Sequence, residues 1–123
     1  MSATFRILLV DDNEMNVELF RDVLEADGHT VTVERDGLSA HARALAEPFD
    51  LLLLDIQMPG MDGNAMCRSL RASGIKRPIL ALSSAAMPEH IRAGTEAGFD
   101  DYLTKPIAPS ALRSTVRRFG ERT

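Results

Sequence analysis

The chain has one cysteine, Cys67, so no internal disulfide is available and a disulfide-stapled secreted scaffold is excluded. Long apolar runs are missing too: the longest, such as Leu51 to Leu54, are four residues, far short of the roughly 20 that span a bilayer. Basic residues are outnumbered, 14 Lys and Arg against 18 Asp and Glu for a formal charge of -4. That balance leaves no electrostatic footprint for DNA and no polybasic patch for a membrane surface. The start, Met1-Ser2-Ala3-Thr4-Phe5, lacks both the basic residues and the apolar length of a signal peptide. These absences predict a cytoplasmic chain with no direct nucleic-acid partner and no membrane segment. What remains is 123 residues at 45% apolar composition, enough for one core and one domain over residues 1–123.

Three apolar runs, Ile7 to Val10, Leu51 to Leu54 and Ile79 to Leu82, have strand length without polar alternation, the pattern of parallel strands covered on both faces. Between them apolar residues recur at helical spacing: Met15, Leu19 and Val23, then Leu38, Ala42 and Leu45, then Met66 and Leu70. Asn13, Asp36 and Asp62 stand where helix caps belong, Gly28 and Gly74 where helices stop, and Pro88 suits a first helical turn. Thr30 to Glu34 reads as an edge strand, Asp101 to Leu103 as a short last one, and Ser110 to Phe119 as a final helix burying Leu112, Val116 and Phe119. Five alternating strand-helix units predict an α/β fold with a parallel sheet and helices on both faces.

Open sheets of this kind bind ligands beyond the carboxyl ends of their strands. Those ends carry Asp11 and Asp12 after the first strand, Asp55 after the third, Ser83 after the fourth and Lys105 beyond the fifth. Carboxylates about 4 Å apart repel by roughly 4 kcal/mol per pair at an effective dielectric near 20, so three together call for a cation. Oxygen donors alone suit Mg²⁺, which commonly pairs with a phosphate. Phosphoryl transfer needs mainly positioning and charge neutralisation. In this reading Asp55 is the nucleophile, Asp11 and Asp12 hold the metal, Lys105 pairs with a phosphoryl oxygen, and Ser83 donates a hydrogen bond to another.

These residues lie in three segments: Leu9-Val10-Asp11-Asp12-Asn13, Leu54 to Gly63 through Asp55-Ile56-Gln57-Met58-Pro59, and Ala97 to Ile107 through Tyr102-Leu103-Thr104-Lys105-Pro106. Taken in order, they resemble the receiver domains of two-component response regulators over essentially the whole chain. The resemblance implies a flavodoxin-like, doubly wound five-stranded sheet of order 2-1-3-4-5. It implies that Asp55 takes phosphate from a phosphohistidine on a sensor histidine kinase or histidine phosphotransfer protein, making the chain a signal transducer in a two-component system or phosphorelay rather than an enzyme acting on external substrates. Mg²⁺ would sit on Asp12, Asp55 and the backbone carbonyl of Gln57, with Asp11 acting through water. Ser83 and Tyr102 occupy the places of the family's switch pair, with Ser where Thr is commoner and Ser84 following where Ala is usual. Gln57 and Ala85 fall where similar domains tune phosphate lifetime. An unidentified downstream protein would read the fourth helix, fifth strand and fifth helix.

Each residue also has a plainer reading. A lone strand-end Asp is usually a cap or turn residue, and Asp62 keeps that role; capping explains at most one of Asp11, Asp12 and Asp55. Lys105, Ser83 and Tyr102 gain significance from convergence and resemblance. His29, His41 and His90 have no ligand-spaced partner and receive no functional role, and Met66 and Cys67 are expected in the core. An aspartyl-phosphate phosphatase would place its acids as Asp-x-Asp at one strand end. A flavodoxin-like carrier would need a phosphate-binding loop where Asp11-Asp12-Asn13-Glu14 stands. A phosphorylation-independent interaction module would tolerate a degenerate site, and this one has every group.

Overall fold

The structure, a computed structural model, describes residues 4–120. Its elements alternate throughout: β1 (Arg6–Val10), α1 (Glu14–Ala26), β2 (Thr30–Glu34), α2 (Gly37–Ala46), β3 (Leu51–Asp55), α3 (Gly63–Ala72), β4 (Ile79–Ser83), α4 (Pro88–Ala97), β5 (Asp101–Thr104) and α5 (Pro109–Gly120). All strand pairs are parallel, and the order is β2-β1-β3-β4-β5. The three apolar runs are the interior strands, and β2 and β5 are the edges.

Within each run successive side chains go to opposite faces. Ile7, Leu9, Leu51, Leu53, Leu80 and Leu82 meet Phe20 and Leu24 of α1 and Leu112, Val116 and Phe119 of α5. Leu8, Val10, Leu52, Leu54, Ile79 and Ala81 meet Ala40 and Ala44 of α2, Met66, Cys67 and Leu70 of α3, and Ala97 of α4. Fully burying such a Leu or Ile contributes roughly 1.5–3 kcal/mol, so the absence of polar alternation in these strands is itself the driving force for two helical layers. The predicted caps form: Asn13 accepts from the Asn16 amide, Asp36 from Ser39 and Asp62 from Ala65. Gly98 ends α4 in the left-handed region at φ +113°, where a side chain would be strained.

Two helices face differently from the predicted spacing. On α1 the buried residues are Val17, Phe20, Val23 and Leu24, while Met15 is 81% exposed and Leu19 45%. On α2 the inward face is Gly37, Ala40 and Ala44, leaving Leu38, Ala42 and Leu45 exposed. The physical reason on α2 is close approach: a Cβ on Gly37 would lie 1.9 Å from the Met61 carbonyl oxygen, so this face takes small residues and the leucines point outward. Helix α4 is anchored by Gly94 and Ala97, with Ala93 half-buried and Ile91 exposed. His29 is a core residue, stacked on Phe5 at 5.0 Å between centroids and accepting the Phe5 amide hydrogen at Nδ1 at 3.0 Å. Burial holds its pKa below the usual histidine range. Cys67 is buried on α3 as expected.

Candidate functional site

Because every strand runs the same way, the residues at or just beyond the ends of β1, β3, β4 and β5 gather at one end of the sheet. Backbone bonds fix how far each projects. The Asp11 amide donates to Glu34 O at 3.2 Å, Ile56 to Leu82 O at 3.0 Å, and Lys105 to Ser83 O at 2.8 Å. The last of these pins the segment after β5 against the end of β4 and aims Lys105 across the sheet. The Lys105–Pro106 peptide bond is cis.

Asp11, Asp12 and Asp55 converge, each offering a carboxylate oxygen within 4.8 Å of the others. Asp11 is fully buried and Asp55 is 5% exposed, whereas Asp12 reaches solvent. The Lys105 ammonium lies 2.8 Å from Asp11 Oδ2 and 3.4 Å from Asp55 Oδ2. The remaining oxygens of the buried acids accept backbone amides: Asp11 Oδ1 from Asn13 at 3.0 Å and Asp55 Oδ1 from Gln57 at 3.2 Å. Burial pushes the Asp55 carboxyl up to about 6, against the pull of Lys105 and the Gln57 amide and with a further push from Asp11. One ammonium among three carboxylates leaves net negative charge in a partly desolvated site. An all-oxygen donor set of that charge fits a hard divalent cation such as Mg²⁺.

Ser83 and Tyr102 are tied to the same residue. Ser83 Oγ, buried at the end of β4, accepts the Ala85 amide hydrogen at 3.0 Å, and the Tyr102 hydroxyl donates to the Ala85 carbonyl at 2.7 Å. The Tyr102 ring itself packs beside Gly94 of α4. Asp62 caps α3 and takes no place among the converging acids.

A cleft of about 490 Å³ opens beside the carboxylates, with Asp12, Gln57, Asp62, Asn64 and Arg68 among its lining residues. Asn64 and Arg68 escaped notice in the sequence because an i, i+4 polar pair on a helix looks the same whether it faces bulk solvent or a cleft. Asn64 Oδ1 is buried there with no hydrogen-bond partner among the described residues.

The family model for the response regulator receiver domain matches residues 7–117. The chain is 40% identical over 119 residues to the sensor histidine kinase GacS of Pseudomonas protegens, covering 93% of this chain and 13% of that one. It is 40% identical over 118 residues to the response regulator MprA of Mycobacterium ulcerans, covering 96% of this chain and 51% of MprA. The chain thus spans about half of one relative and a small part of the other. Among solved structures, the receiver domain of the Francisella response regulator 1452 superposes with a TM-score of 0.92 at 30% identity, covering 96% of this chain and 98% of that one. The receiver domain of the sensor histidine kinase PA1611 from Pseudomonas aeruginosa, which has a magnesium ion coordinated in its active-site cleft, superposes with a TM-score of 0.89 at 33% identity, covering 97% and 99%.

Proposed function

Since the chain belongs to the response regulator receiver family of two-component signalling, we propose that it works as a phosphorylation-operated switch with Asp55 as phosphoryl acceptor, in one receiver unit over residues 1–123. The observation that carries this reading is the placement of Lys105 between two buried acids, 2.8 Å from Asp11 and 3.4 Å from Asp55, with Asp12 completing the cluster. A structural ion pair needs one acid; this geometry holds a second, Asp55, at the end of the central strand beside the same ammonium.

In the proposed reaction a carboxylate oxygen of Asp55 attacks the phosphorus of a phosphohistidine on a sensor histidine kinase or histidine phosphotransfer protein. An O–P bond forms, the N–P bond breaks, and the imidazole leaves with the electron pair and regains a proton. Lys105 then pairs with a phosphoryl oxygen. Asp12, Asp55 and the backbone carbonyl of Gln57 would hold Mg²⁺, with Asp11 through water, and when bound the ion neutralises charge on the transferring group. The magnesium in the cleft of the PA1611 receiver supports that assignment.

The switch follows from the shared residue Ala85. A hydrogen bond to a charged group contributes roughly 1.5–3 kcal/mol, against about 1 for an ordinary one, so Ser83, whose oxygen accepts the Ala85 amide hydrogen, gains by turning its O–H donor to the new phosphoryl group and draws the Ala85 segment with it. Reversing an equilibrium from 1:99 to 99:1 requires about 5.5 kcal/mol, so Ser83 acts together with Lys105. Displacement of the Ala85 segment then releases the Tyr102 hydroxyl and lets the ring turn. The surface of α4, β5 and α5 changes with it, and a downstream protein reads that change.

The deciding experiment is intact mass after incubation with a small phosphoryl donor, with and without Mg²⁺, for the natural chain and Asp55→Asn. The expected result is a Mg²⁺-dependent gain of one phosphoryl group that the variant lacks. No gain under any condition overturns the reading in favour of a phosphorylation-independent interaction module.

A further inference from the structure

A second cavity, of about 330 Å³, lies at the end of the sheet away from Asp55, between the loops that enter β3 and β4. Its volume falls at the lower end of the range of small-molecule sites. Ala44, Phe49 and Leu52 are buried and give it an apolar floor, with Pro48 and Ile75 on the sides.

Both walls are braced by guanidiniums. Arg6 donates to Pro48 O at 3.1 Å and to Glu47 Oε1 at 3.1 Å, and it stacks over the Phe49 ring at 5.3 Å from the centroid. Arg71 donates to Ile75 O at 3.0 Å and to Arg77 O at 2.9 Å, while its other nitrogens hold Gly98 O and Asp100. A cavity whose walls are already fixed loses little freedom when it is filled.

The rim carries a one-sided charge. Glu47 is the acidic side chain that lines the cavity, and it is already engaged, Oε1 with Arg6 and Oε2 with Arg43 at 2.7 Å. Lys76 and Arg77 also line the cavity and are exposed, and neither pairs with an acid among the described residues. An apolar floor beneath two uncommitted cations is complementary to a molecule with an apolar body and one anionic end.

We propose that this cavity is a binding site for a small amphipathic monoanion, of the aliphatic carboxylate class, independent of the phosphoryl acceptor at the other end of the sheet. The test is a titration of ¹⁵N-labelled protein with octanoate and, separately, with 1-octanol. Octanoate should move the amides of Leu52, Gly74, Ile75 and Lys76 to a saturating end point. Octanol should bind at least about tenfold more weakly, and K76E/R77E, changed only at exposed positions, should lose octanoate affinity by about tenfold or more. Equal binding of octanol, octanoate binding untouched by the double variant, or shifts centred on Asp12 and Gln57 would overturn the proposal. None of these readouts involves phosphorylation, so the outcome is separate from that of the Asp55 experiment.

Discussion

Gly94 carries α4 directly on the ring of Tyr102: a Cβ built at Gly94 would stand 3.1 Å from Tyr102 Cδ2 and 3.3 Å from Cε2. The helix proposed to move and the ring proposed to turn are therefore in contact with no side chain between them. Tyr102 is the sole tyrosine in a chain without tryptophan, so near-ultraviolet fluorescence reads this ring alone. Phosphorylation of Asp55 should change that emission as the hydroxyl leaves Ala85. Gly94→Ala should keep phosphoryl uptake and diminish the change, with a net stability effect within about 1 kcal/mol because helix propensity offsets crowding. An unaltered spectrum at stoichiometric phosphorylation rules Tyr102 out as the moving part.

Removing the ammonium should expose what it compensates. Lys105→Met leaves Asp11 fully buried beside Asp55 with no cation, and loss of one partner from a buried pair typically costs about 3–5 kcal/mol. A loss near 3 kcal/mol is expected in urea unfolding without divalent cations, partly restored by Mg²⁺, together with slower phosphoryl uptake. A loss below about 1 kcal/mol would mean that solvation by water, rather than the Lys105 ammonium, stabilises the Asp11 carboxylate.

The raised Asp55 carboxyl, at about 6 against an ordinary 3.8, makes stability depend on pH with a definite sign. Between these values the folded chain binds more protons than the unfolded one, so stability falls as pH rises from about 4 through 6. Asp55→Asn removes that penalty. In metal-free denaturation the advantage of the variant should grow from near zero below pH 4 to on the order of 1–3 kcal/mol above pH 7. A variant no more stable at pH 7 than at pH 4, relative to the natural chain, would contradict the assignment.

Gly63 should not tolerate a methyl group. Its Cβ would lie 2.6 Å from the Asp55 carbonyl oxygen and 2.8 Å from Ile56 Cα, both backbone atoms that cannot swing aside. Gly63→Ala should destabilise the fold by about 2 kcal/mol or more despite better helix propensity, and phosphoryl uptake should slow because the backbone of Asp55 itself shifts. Thermal unfolding and intact mass check the two effects separately.

The order of elements was legible because Leu51 to Leu54 and its two counterparts have one stable environment, a sheet covered on both sides. Asp11, Asp12, Asp55, Ser83 and Lys105 could be grouped because parallel strands deliver their ends to one place. The faces of α1 and α2 were not legible. Exposed leucines such as Leu38 and Leu45 are ordinary on protein surfaces, so apolar spacing alone could not tell the inward stripe from the outward one when the inward stripe consists of Gly37, Ala40 and Ala44. His29 was missed because its partner, the Phe5 amide, is 24 residues away. The apolar cavity was missed for the same kind of reason: Phe49 and Ile75 belong to different loops, and only the pairing of β3 with β4 makes them neighbours.

The burial of Cys67 makes the molecule easy to instrument. The thiol is enclosed in the core, and burial pushes it up to about 11, which suppresses the thiolate that reacts with alkylating dyes. A cysteine introduced at exposed Ser84, or at Arg92 on the outer side of α4, would be the one that labels, with no need to delete the native thiol. A dye at either position could then follow the proposed switch in real time in an otherwise natural chain.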